Sequence, residues 1–166
     1  NMADKVRIGI IGVGQIGKVH VERYKEVPEA EIVAVCDLRE DEARRVAHGI
    51  GAQGGSAQGG GTPAVYTDYR ELLARDDIQS VDVCLHNRLH MPVTVEALQA
   101  GKNVYCEKPM SWTYPEARAM VDAATAAGRM LHIQLATIYE PEARAAQRLI
   151  AGGHLGSLYL AKSICY

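Results

Sequence analysis

Val6-Arg7-Ile8-Gly9-Ile10-Ile11 runs straight into Gly12-Val13-Gly14-Gln15-Ile16-Gly17. The first six residues are apolar and β-branched enough to read as a buried strand, and Ile16–Val27 carries the spacing of a helix. Three glycines in Gly-x-Gly-x-x-Gly order are common in turns. Between a strand and a helix they gain a specific use. Gly12 permits the tight turn, Gly14 lets the backbone come close to a pyrophosphate, and Gly17 lets helix and strand pack closely. The helix start then presents free N–H groups and a positive dipole end to phosphates. Gln15 and Ile16, inside the motif, join the three glycines as candidate cofactor contacts.

Working outward, Glu31–Cys36 reads as a second strand, and Asp37 follows it, 20 residues past Gly17. A carboxylate there accepts hydrogen bonds from ribose hydroxyls and repels a 2′-phosphate, which favours NAD over NADP. Arg39 could soften that preference by pairing with a phosphate, and Leu38 lies between them. Asp37 also suits a turn or cap before the charged helix Glu40–His48, and the two roles are compatible. Further strands are expected at Ala64–Tyr66, Val81–Leu85, Asn103–Cys106 and Met130–Leu135. Helices are expected at Met91–Ala100, at Tyr114–Ala127 with Gly128 as terminator, and at Pro141–Ala151 with proline in its first turn. Strands alternating with helices imply a parallel sheet covered on both faces, hence an α/β, Rossmann-type doubly wound fold.

Gly49–Gly61 holds seven glycines in thirteen residues and reads as a flexible surface insertion, since no P-loop lysine follows. At the other end, Ser157–Ile164 alternates like the opening strand of a new sheet. The expected division is therefore a dinucleotide-binding domain over 1–153 and the start of a second domain, with most of its α/β substrate-binding part missing, over 154–166.

The 166 residues suit one core, and 48% hydrophobic with 23% charged is ordinary for a globular protein. A formal net charge of −2 gives no footprint for nucleic acid or an anionic membrane. Cys36, Cys84, Cys106 and Cys165 form no CxxC pair and read as reduced thiols of a cytoplasmic protein. His86 and His90 lack the HExxH pattern of a zinc site, so no metal is expected, and no GxSxG supplies a hydrolase nucleophile.

Glu107-Lys108-Pro109 follows the strand Asn103–Cys106, at the carboxyl end where ligands bind in open α/β sheets. By itself Lys108 reads as a solvated loop lysine. A lysine so placed can also donate to a substrate oxygen. Pro109 restricts the backbone of the residue before it.

Together the Gly-x-Gly-x-x-Gly at 12–17, Asp37, Asn87 and His90 in VCLHNRLH, and AGKNVYCEKPMS at 100–111 resemble the Gfo/Idh/MocA oxidoreductases. The resemblance runs from Val6 to about Tyr166. It implies that Lys108 touches cofactor and substrate beside the reacting carbon, and that Glu107 and the segment Leu85, His86, Asn87 to His90 line the nicotinamide side. It implies a dehydrogenase that passes hydride between NAD (or NADP) and a secondary alcohol of a sugar, cyclitol or polyol, with a homo-oligomeric parent. An NAD-dependent glycoside hydrolase and a non-catalytic dinucleotide sensor are the alternatives. The chain departs from the family's pattern at His86, where the family has a T-P-N string, and at Ala136–Tyr139, where it commonly has a charged stretch. Relatives run to about twice this length, so the 166 residues alone are expected to be inactive.

Overall fold

The computed structural model describes residues 5–52, 61–160 and 162. The chain divides into a compact unit that ends at Gln134 and a second from Leu135 onward. In the first, strands β1 (Val6–Ile11), β2 (Ala30–Cys36), β3 (Ala64–Tyr66), β4 (Ser80–Val83), β5 (Asn103–Cys106) and β6 (Leu131–Ile133) make one parallel sheet in the order β3-β2-β1-β4-β5-β6. Helices α1 (Gln15–Tyr24), α2 (Glu40–Ala52), α3 (Tyr69–Leu73), α4 (Asn87–Gln99) and α5 (Tyr114–Ala127) connect them. The second unit holds a short 3-10 turn, Ala136–Tyr139, and helix α6 (Pro141–Ala151). No described helix is long and apolar enough to cross a membrane.

Two cores lie on opposite faces. On one, Val21 of α1 and Ala43, Ala47 and Ile50 of α2 pack over Ile8, Ile10, Ile32 and Val35. On the other, Leu72, Leu73, Val93, Leu98 and Met120 from α3, α4 and α5 cover Ile11, Val83, Val104 and Cys106. Right-handed crossovers demand this division, because the chain winds outward from β1 in both directions. The winding leaves the α1 side of β4, β5 and β6 without a helix of the first unit directly above it. A groove of about 510 Å³ runs there, lined by His20, Tyr24, Tyr105 and His132 among others.

Local chemistry explains most boundaries. Thr113 and Glu116 form a reciprocal capping box at the start of α5, and Gly128 ends it in the left-handed conformation at φ 61°. Asp68 caps α3, a helix that the sequence reading passes over, by accepting from the Arg70 N–H. Helix α2 continues past His48 to Ala52, so the glycine-rich stretch begins inside a helix. Buried Ile50 holds that last turn, and packing outweighs the glycine penalty. Positions 53–60 of the glycine-rich stretch lie outside the described residues.

Other boundaries correct the expectations. β4 stops at Val83, and α4 starts at Asn87, a turn before Met91 and with Pro92 inside it. The buried ring of His90 anchors that extra turn. No strand forms over 157–160; the remaining positions of that expected strand lie outside the described residues, apart from Lys162, which is not strand either. A strand needs a neighbouring ladder to be stable, and none of the described strands pairs with this segment.

Candidate active site

All six strands are parallel, so their carboxyl ends share one edge of the sheet. The strand order reverses between β1 and β4, and the crevice there is the general ligand site of such sheets. Gly12–Gly17 leaves β1 at this edge, Asp37 leaves β2, Cys84–Asn87 leaves β4, and Glu107–Lys108 leaves β5.

Each glycine of the turn has a measurable reason. Gly12 has φ 93°, and a Cβ there would meet the Cys84 carbonyl oxygen at 2.5 Å. A Cβ on Gly17 would meet the Gly12 carbonyl oxygen at 2.0 Å, so the helix can reach the strand only without one. Gly14 differs, because no atom lies within 4 Å of its would-be Cβ. That open space sits at the start of α1, which has no side-chain cap and no acidic residue in its first turn. Uncapped N–H groups facing an open space fit the pyrophosphate of a dinucleotide.

Asp37 is tied into this turn. Its Oδ2 accepts from the Val13 N–H at 2.9 Å and its Oδ1 from the Arg39 N–H at 3.0 Å, with the Arg39 guanidinium 3.5 Å away. A carboxylate oxygen has a second lone pair, so the same group can serve turn and ribose together. Leu38 beside it is 88% exposed, and Gln15 and Ile16 are exposed on the first turn of α1.

Across the crevice His86 is exposed and precedes α4, whose first residue Asn87 is half-buried. Lys108 is exposed, while Glu107 is buried. Glu107 Oε2 accepts from the Lys108 N–H at 3.0 Å, and its own N–H donates to the Val83 carbonyl at 3.0 Å.

His90, expected on the nicotinamide side, is buried between the loops that follow β4 and β5. Its ring is 1% exposed, with Nδ1 2.7 Å from the Pro109 carbonyl and Nε2 2.9 Å from the Leu85 carbonyl. Each nitrogen faces a backbone carbonyl, so the residue bridges the β4 and β5 loops. Leu85, half-buried, leans over Gly12.

A buried network behind Glu107 escaped the sequence reading. His20 on α1 lies with Nδ1 2.8 Å from Asp82 Oδ2 and Nε2 3.0 Å from Glu107 Oε1. The Cys84 thiol is 3.4 Å from Asp82 Oδ1 and 3.3 Å from His20 Nδ1. Burial would lower the His20 pKa, but the hydrogen bonds and charges of Asp82 and then Glu107 outweigh it, and the net direction is up. Burial, followed by the charge of Asp82, pushes the Cys84 thiol and the Tyr24 hydroxyl well up, so both stay neutral. The His20, Asp82 and Cys84 donor atoms lie within 4.8 Å of one another, yet they are engaged with each other as a hydrogen-bonded network. The available signal was Asp82, an acid in the middle of the apolar run Val81–Leu85.

A doubly wound sheet with a glycine turn, an acid after β2 and a lysine at the crevice defines a dinucleotide-binding α/β domain. Residues 6–135 match the family described as Oxidoreductase family, NAD-binding Rossmann fold (Gfo/Idh/MocA), and the chain belongs to it. It is 33% identical to the D-glucoside 3-dehydrogenase of Escherichia coli (strain K12) over 156 residues, 93% of this chain and 42% of that protein. It is 37% identical to a glycosyl hydrolase family 109 protein of Shewanella baltica over 125 residues, 73% of this chain and 26% of that protein. The crystal structure of an NAD-binding oxidoreductase from Klebsiella pneumoniae superposes with TM-score 0.80 at 31% identity, over 92% of this chain and 40% of that one. The chain thus spans less than half the length of these relatives.

Proposed function

We propose that the chain forms the cofactor half of an NAD-dependent dehydrogenase acting on a secondary alcohol of a sugar, cyclitol or similar polyol. The observation that carries this is the meeting, at one sheet edge, of the open space over Gly14, the Asp37 carboxylate and exposed Lys108. Gly12, Gly14, Gln15, Ile16 and Gly17 would hold the pyrophosphate, and Asp37 with Leu38 and Arg39 the adenosine ribose. Leu85, His86, Asn87 and Glu107 would flank the nicotinamide. When bound, that ring accepts the hydride from the carbinol carbon. Lys108 is the catalytic residue in this reading: its ammonium would donate to the substrate oxygen and stabilise the charge that develops as the O–H proton passes to a histidine of the longer parent. Glu107 holds the lysine's backbone. The remaining substrate contacts would come from sequence beyond a domain ending near 153, so hydride transfer belongs to the longer parent.

The 37% identity to a glycosyl hydrolase family 109 protein favours a second reading, glycoside cleavage through a transient oxidation. Net accumulation of NADH with a polyol supports the first; glycoside cleavage without it supports the second.

Calorimetric titration with NAD(H) and NADP(H) tests the cofactor assignment. NAD(H) should bind in preference, and Asp37→Ala should weaken it about tenfold or more, the worth of a charge-assisted hydrogen bond. A folded chain that binds neither dinucleotide overturns the reading.

A further inference from the structure

We propose that His20 is a positioning residue for the Glu107–Lys108 segment: held between Asp82 and Glu107 as a doubly protonated ring, it fixes the carboxylate that in turn fixes the backbone of Lys108. The relevance to catalysis rests on the dehydrogenase reading; the geometry does not.

Both ring nitrogens face carboxylate oxygens, at 2.8 Å and 3.0 Å. An ionised carboxylate only accepts; with both in that form, both nitrogens donate and the ring carries its second proton, which is the state we assign. Asp82 is fully buried and His20 and Glu107 are nearly so, at 0%, 8% and 9% exposure. Such a trio costs a large desolvation penalty, and three apolar side chains would hold the sheet as well or better. What apolar side chains could not do is fix Glu107. That residue uses Oε1 on His20 and Oε2 on the Lys108 N–H.

Loss of the ring proton sets a nitrogen lone pair against one carboxylate. Asp82 cannot turn away: it lies in β4, between Ile10 and Tyr105 in the register, with the Cys84 thiol on its other oxygen. Glu107 lies beyond the end of β5 and can. Lys108 then loses its backbone acceptor. The groups facing His20 are Tyr24 and Arg23 on α1, Asp82 and Cys84 on the β4 side, and Tyr105 and Glu107 on the β5 side. Beyond Tyr105, His132 of β6 stacks on that ring at 5.2 Å. The groove that His20 lines with Arg23, Tyr24, Tyr105 and His132 gives it a path for proton exchange with water. Burial lowers its pKa, Asp82 and Glu107 raise it by more, and the net direction is up, which favours the doubly protonated ring.

The test is nitrogen-15 NMR of the chain from pH 5.5 to 9, beside NADH calorimetry over the same range. The His20 ring nitrogens should both be protonated at pH 6.5, and the Lys108 amide should shift with the same midpoint as the ring. NADH affinity should fall about tenfold above that midpoint, the worth of one lost charge-assisted hydrogen bond. In His20→Gln the Lys108 titration should vanish and the affinity should become flat with pH. In Asp37→Ala the affinity should be lower but keep the wild-type midpoint. A singly protonated His20 ring at pH 6.5, or a Lys108 amide that ignores its titration, overturns the proposal even if His20→Gln fails to fold. Co-titration of His20 and Lys108 with no NADH binding at any pH supports the positioning and overturns the dehydrogenase reading instead.

Discussion

Two rows of side chains cross the sheet one residue apart. Ile11, Val83, Cys106 and Ile133 stand in register on the face covered by α4 and α5, and every one is apolar. Their neighbours Ile10, Asp82, Tyr105 and His132 stand in register on the α1 face. That second row starts as core under α1 and turns polar as it crosses toward β6, along the groove. Same strands, same spacing and same twist thus support packing on one face and a buried charge network on the other. The strand residues of the row under α4 and α5 are apolar, while the row on the α1 side holds Asp82, which pairs with a histidine of α1.

Exchanging one residue between the rows breaks the comparison most severely. Val83→Asp would place an unpaired carboxylate under α4, at a cost of at least about 4 kcal/mol, which should abolish cooperative urea unfolding of this domain. Asp82→Val, on the adjacent residue, should cost about 3 kcal/mol, because it leaves the His20 charge with Glu107 alone. The double variant Asp82→Val/His20→Leu sharpens the point, since removing both partners should recover part of that loss. An Asp82→Val loss that the second substitution deepens would count against the pairing.

The smallest effect is a pH dependence. The folded His20 pKa lies above its unfolded value, with burial opposing and Asp82 and Glu107 prevailing. The folded state therefore binds the proton more tightly, and the stabilisation is fully present below the unfolded histidine value of about 6.5. It is lost as pH rises through the higher folded value. Urea midpoints measured across that window should fall with pH in the wild type, and His20→Gln should remove this component of the slope.

The shape of the glycine turn was legible because it is local. Gly12, Gly14 and Gly17 act within six residues, and Asp37 is placed by the length of one helix and one strand. Helix α5 could be bounded from Tyr114 and Gly128 alone. His90 could not be read in this way. In VCLHNRLH it resembles a cofactor contact, and only the fold shows that its ring reaches the Pro109 carbonyl, 19 residues on. The start of α4 moved for the same reason, since buried His90 and Val93 outweigh the local signal of Pro92. The network behind Glu107 was missed because its members stand 62 and 87 residues from His20.

By itself the sequence determined the strand–turn–helix that opens at Val6, the alternation that makes a parallel doubly wound sheet, and the arrival of Lys108 at a strand's carboxyl end. Periodicity carries that much, because it reports which residues share a face. It does not report which strand lies alongside. Only the tertiary structure decided that β4 pairs with β1 on one side and β5 on the other, which sets Asp82 under α1 and brings His20 within 3.0 Å of Glu107. Hydrogen bonds and charge pairs act over about 3 Å, so their partners are chosen by strand order and register, which no local pattern encodes.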